Sequence, residues 1–204
     1  MPLTYYDISP SSSFSSDFTQ YLRSYALTGK FKEHSGILNN AEIIRCAKAL
    51  HDNALFAALI RTPKATINSY INFEKFIADE ETGEVIKTFE CEYKCEVLVS
   101  RKCAKIISTS AKKEEDLQER IKIYGYHRLA SWVLSSGRVD QFYIFAVQRM
   151  QPYKVFTLKF TNDMDVINEA TEQNIESLKK YYQDQKEQSE EARRWNYGDY
   201  GPIR

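Results

Sequence analysis

Between Val85 and Phe160 the chain switches between two periodicities, and the order of the switches leaves few folds open. Strand patterns predicted over 85–99 and 103–109 are separated at Ser100-Arg101-Lys102. A helix is predicted over about 114–135, with a stripe of Leu117, Ile121, Tyr124, Arg128 and Trp132 and a stop at Gly137. Strands over about 139–149 and 153–160 follow, turned at Gln151-Pro152, and a last, increasingly charged helix covers about 163–190. Two antiparallel strands, a crossover helix and a second strand pair describe an α/β domain with a central mixed β-sheet flanked by helices.

Helices precede this sheet. Ser15 or Ser16 caps a helix over 17–28 in which Phe18, Tyr21, Leu22 and Tyr25 recur at helical spacing. Residues 29–40 read as a connector. Helical spacing then holds from Ala41 to Ile60, broken at His51-Asp52-Asn53. Ile67, Ser69, Ile71 and Phe73 alternate as in a strand, and residues 79–83 form a turn cluster. A length of 204 residues suits one domain. The expected division is a Ser-rich segment and helix over 1–40 packed on the core, a main domain over 41–190, and an aromatic, basic tail over 191–204.

Lys+Arg and Asp+Glu both number 28, so the formal net charge is zero. Binding to nucleic acid through bulk electrostatics is therefore disfavoured, and any such contact needs a local groove. No run approaches the roughly 18 apolar residues of a membrane span, and the N-terminus lacks a signal-peptide layout. A cytoplasmic protein with reduced thiols is expected. Cys91 and Cys95 are spaced as C-x3-C, yet neither a second pair nor a nearby histidine completes a zinc site, so ordinary buried thiols are the expectation for all four cysteines.

Five segments carry a more specific pattern: DEETGEV at 79–85, CEYKCEVLV at 91–99, AKIISTS at 104–110, IYGYHRLASWVL at 123–134 and FYIFAVQRMQPYKVF at 142–156. Their order and wording resemble the phage RecE-type exonucleases (exodeoxyribonuclease VIII-like) of the PD-(D/E)xK nuclease superfamily. The best anchor is Tyr124-Gly125-Tyr126-His127, followed by Ala146-Val147 and Pro152-Tyr153. The resemblance covers about 41–185 and implies the nuclease α/β core. In such a core two carboxylates on adjacent strands hold Mg2+, and a lysine two residues after the second carboxylate steadies the attacking water.

The chemistry-bearing positions depart from that pattern. The family's Pro-Asp corresponds to Cys95-Glu96, so one carboxylate survives. Its Asp-x-Lys corresponds to Ser108-Thr109-Ser110, and its helix glutamine to Arg128. The stretch at 65–69, ATINS, lacks the acid of the earlier strand. Hydroxyls are poor ligands for a hard dication. The expectation is a catalytically inactive exonuclease-like protein, with no catalytic residues and no cofactor, in which a Glu96–Arg128 ion pair fills the vacated metal site. It would bind DNA or a protein of a DNA-processing or defence complex in a phage or mobile-element setting. The alternative is an active Mg2+-dependent exodeoxyribonuclease with a rearranged site, in which Glu96 is the metal ligand beside a displaced lysine.

Arg101, Lys102, Lys105, Lys112 and Lys113 form a candidate DNA-binding cluster, opposed by Glu114, Glu115 and Asp116. Trp195, Tyr197 and Tyr200, with Arg193 and Arg194, offer rings for stacking on bases or docking on protein. The 14 tyrosines lean towards a protein interface. The resemblance leaves a homo-oligomer open, because family members form rings around DNA.

Overall fold

The computed structural model describes residues 1–9, 16–31 and 40–197, with side chains as far as residue 190. Helix α1 (Tyr5–Ile8) is followed by α2 (Asp17–Thr28), α3 (Asn40–Asp52) and α4 (Ala54–Arg61). Then come strands β1 (Thr66–Ala78), β2 (Val85–Val99) and β3 (Lys102–Thr109), and helices α5 (Glu114–Ile123) and α6 (Tyr126–Leu134). Strands β4 (Gln141–Gln148) and β5 (Val155–Phe160) and helix α7 (Asp165–Tyr197) complete the order. The five strands form one sheet in chain order, antiparallel except for the β3–β4 pair, which is parallel across the α5–α6 crossover.

Local chemistry sets most boundaries. Ser16 Oγ accepts from the Thr19 amide at 3.3 Å and starts α2. Asn53 Oδ1 accepts from the Phe56 amide at 3.0 Å, which explains why the helical pattern of 41–60 resolves into two helices. Residues 142–147 of β4 are buried without alternation, as an interior strand covered on both faces requires.

Two hydrophobic cores lie on the two faces of the sheet. One gathers Trp132, Leu134, Phe142, Ile144 and Ile107 under α5, α6 and α7. The other gathers Phe18, Leu22, Ile43, Leu50, Phe56, Ile106 and Phe145 under α2, α3 and α4. No helix among the described residues is long and apolar enough to cross a membrane.

The single helix expected over 114–135 is two helices. Gly125 takes φ +67°, a left-handed conformation that glycine adopts without side-chain strain, and with Tyr124 it separates the end of α5 at Ile123 from the start of α6 at Tyr126. The break resets the helical phase, so the stripe does not continue through it. Leu117, Ile121 and Trp132 are buried, whereas Tyr124 is half exposed and Arg128 turns to α7. The Tyr5 hydroxyl donates to the Gly125 carbonyl at 3.1 Å, tying the short α1 to this joint. Much of the Ser-rich segment and of the 29–40 connector lies outside the described residues, as do the tail side chains.

Candidate functional site

The site begins with an irregularity in β2. Cys91, Tyr93 and Cys95 belong to one core, whereas Val97 and Val99 belong to the other. These residues share one parity, so the apolar face of the strand changes sides at Glu96. Opposite it on β1, Asn68 has φ +53°, a left-handed conformation that asparagine tolerates better than most residues. Pairing of β2 with β3 also stops at Val97↔Ala104, although both strands continue.

The Glu96 carboxylate occupies the gap. Its Oε2 accepts from the Ile106 amide at 2.5 Å, in the place a strand carbonyl would take. Its Oε1 lies 2.9 Å from Arg23 Nε and 3.6 Å from Lys105 Nζ. Glu96 and Lys105 are both buried. Arg23 Nε also donates to the Ile106 carbonyl at 2.8 Å, while its Nη2 is buried without a hydrogen-bond partner. Arg23 reaches this point from α2, whose Phe18, Leu22 and Ala26 are buried in the core. Thr19 and Arg23, four residues apart, form the polar edge of that buried face.

Thr19 meets Ser108 on β3. Its Oγ1 lies 2.7 Å from Ser108 Oγ and accepts weakly from the Ser108 amide at 3.4 Å. Ser110 lies beyond the end of β3 and is exposed. Two cavities open here. One, of about 610 Å³, is lined by Arg23, Lys94, Lys105, Glu96, Tyr6 and Tyr70, among others. The other, of about 410 Å³, is lined by Ser108, Ser110, Arg120, Arg149, Tyr124 and Tyr126, among others. The two cavities lie one helical turn apart along α2, with Arg23 lining the first and Thr19 the second. Burial pushes the Tyr126 phenol up to about 12. Arg149 also pairs with Glu42 at 3.0 Å and stacks over Phe18 at 4.1 Å.

The expected Glu96–Arg128 ion pair does not form. Arg128 donates from Nη2 to Ser177 Oγ at 2.7 Å and to the Gln173 carbonyl at 3.2 Å, and from Nε to Asn174 Oδ1 at 3.2 Å. All three acceptors belong to α7, and the reset of phase at Gly125 is the reason. The cations beside Glu96 are Lys105, a residue of the expected basic cluster, and Arg23, which the sequence reading does not single out. The available signal was the Thr19/Arg23 pair at i, i+4 beside an apolar stripe, but nothing in the spacing indicated which strand they cross.

The five-residue basic cluster is not brought together either. Arg101 and Lys102 lie at the β2–β3 turn, where Arg101 pairs with Asp140 through two contacts of 2.5 and 2.6 Å. Lys112 and Lys113 are exposed beyond the other end of β3, roughly 25 Å away along a strand rising about 3.3 Å per residue. Lys105 points inward to Glu96. Burial lowers the pKa of His127, whose Nδ1 sits 3.4 Å from the Ile121 carbonyl. The four cysteines are free and buried, and no group of three metal-ligating side chains occurs among the described residues.

No protein-family model and no curated protein matches this sequence. Among solved structures, it is similar to a protein of Eubacterium rectale provisionally named an exonuclease, with 10% identity and a TM-score of 0.59. That match covers 83% of this chain and 66% of the other, so the chain spans just under two thirds of its length. A phage-related exonuclease of Haemophilus somnus aligns at 12% identity and a TM-score of 0.43, covering 84% and 82% of the two chains. An alkaline exonuclease of Laribacter hongkongensis aligns at 11% and 0.40, covering 95% and 94%. With its mixed sheet, crossover helices and flanking layers, the chain has the exonuclease-like PD-(D/E)xK fold.

Proposed function

We propose that this protein is a nuclease scaffold that holds DNA without cutting it. The observation that carries the reading is the occupancy of the Glu96 carboxylate by Arg23, Lys105 and the Ile106 amide. A hard dication requires several free oxygen ligands in one place. Here the surviving acid already faces two cations, and the neighbouring motif positions offer only the hydroxyls of Ser108 and Ser110. Such a donor set does not fit Mg2+.

The same arrangement suits phosphate. Arg23, Lys94, Lys105, Arg120 and Arg149 line the two cavities, against Glu92 and Glu96. With Glu42, which pairs with Arg149, that is five cations to three acids, a local positive excess in a chain of zero net charge and the kind of groove that DNA binding by a neutral protein needs. The exonuclease-like fold supports DNA as the partner.

One contact favours an active enzyme instead: Lys105 Nζ stands 3.6 Å from Glu96, an acid and a lysine on adjacent strands. One experiment decides between the two. Purified protein is incubated with linear duplex and single-stranded DNA and Mg2+ or Mn2+, then run on native and denaturing gels. The proposal expects a shifted band and intact DNA. Degradation that disappears in Glu96→Ala establishes the enzyme reading, and a protein that neither shifts nor degrades DNA leaves a protein partner as the remaining role for the scaffold.

A further inference from the structure

We infer that the groove takes single-stranded nucleic acid, with bases stacked on Tyr70 and Tyr124, rather than an intact duplex. This rests on the DNA-holding reading and specifies its ligand. Large aromatic rings stand exposed at the cavities: Tyr70 is 55% exposed and Tyr6 40% at the larger, and Tyr124 50% at the smaller. Exposed tyrosines alone would be unremarkable on a surface. These stand beside the guanidinium and ammonium groups that line the same cavities, and Lys94 Nζ lies 5.8 Å above the Tyr70 ring. A cation for the phosphate next to a flat ring for the base is the pairing that single-strand binding surfaces use.

Size points the same way. Cavities of about 610 and 410 Å³ are on the scale of a small-molecule or nucleotide site. A duplex keeps its base faces stacked against each other and presents only edges and phosphates, leaving the tyrosine rings nothing to stack on. An unpaired strand offers a face at every base.

The test is fluorescence anisotropy with a labelled oligothymidylate and with a blunt duplex of the same length, in buffer without divalent metal. The strand is expected to bind about tenfold more tightly than the duplex. Tyr70→Ala and Tyr124→Ala each weaken strand binding by about tenfold, whereas Tyr70→Phe and Tyr124→Phe retain it because stacking needs the ring and not the hydroxyl. Phe76→Ala serves as the control, being an exposed ring that lines neither cavity, and leaves affinity unchanged. Duplex bound as tightly as the strand, or alanine variants that bind normally, overturns the inference while the DNA-holding reading stands. Failure to bind either nucleic acid overturns both.

Discussion

The guanidinium of Arg23 and the carboxylate of Glu96 meet at 2.9 Å where the ladder between β2 and β3 ends. Their side chains are 17% and 9% exposed, so the pair is largely shielded from solvent. A charge in such a place needs its partners, and removing Arg23 leaves the carboxylate to the more distant Lys105 and the Ile106 amide.

Arg23→Ala is therefore expected to lower stability by about 2–4 kcal/mol, slightly under the range for a fully buried pair because Arg23 retains some solvent access. Glu96→Gln in the same background costs less than it does alone, since its contact with Arg23 is already gone and only the one with Lys105 remains to be lost. Urea unfolding of the two single variants and the double variant measures the coupling. Single-variant losses that simply add would mean the two side chains do not interact.

Arg128 belongs to the packing of α6 on α7 rather than to the groove. Its guanidinium makes three hydrogen bonds to α7, and its carbonyl accepts a fourth from Asn174 Nδ2 at 2.8 Å. Arg128→Ala is expected to cost about 2 kcal/mol and to leave nucleic-acid affinity unchanged. Parallel thermal unfolding and anisotropy titrations check both halves; a loss of affinity without a loss of stability would return Arg128 to the site.

Lys75 supplies a pH test. It lies against Phe73 and Trp132, with its Nζ 5.7 and 5.1 Å from the ring centroids, and contacts the Ser135 hydroxyl. Burial lowers its pKa from 10.5 to about 8. Between these values the unfolded chain binds more protons than the folded one, so this lysine's contribution to stability rises with pH across about 8 to 10.5 and is lost as pH falls through 8. Burial raises Cys46 and Cys91 from 9.0 to about 11, which acts in the opposite direction, towards lower stability at high pH. Comparing Tm of wild type and Lys75→Met isolates the lysine: the variant's relative advantage is expected to be largest below pH 8 and to shrink above it. An advantage that is constant with pH would refute the shift.

Much of the fold was legible because its signals are local. Ser16 and Asn53 cap helices through their own neighbours, alternation marks β1, and an unbroken apolar run marks the interior strand β4. Gly125 falls inside the single helix that the spacing of 114–135 predicts; its left-handed conformation depends on how α5 and α6 each pack on the sheet. The candidate site was legible in part. Glu96, Ser108, Ser110 and Lys105 do line the two cavities. Arg101, Lys102, Lys112 and Lys113 do not, because neighbours in sequence along a strand are carried to opposite ends of it.

What the sequence by itself determined is the order of strands and helices and the presence of hydroxyl side chains at 108 and 110, since composition and period are properties of the chain alone. Which cation answers Glu96 was decided by tertiary structure. The spacing of Arg128 pointed inward along one continuous helix, but the Gly125 joint turned it towards α7. Arg23, distant in sequence, was brought to the carboxylate by the crossing of α2 over β3. Long-range ion pairs of this kind follow from how faces pack, and packing is settled by the whole apolar surface rather than by the residues that end up in contact.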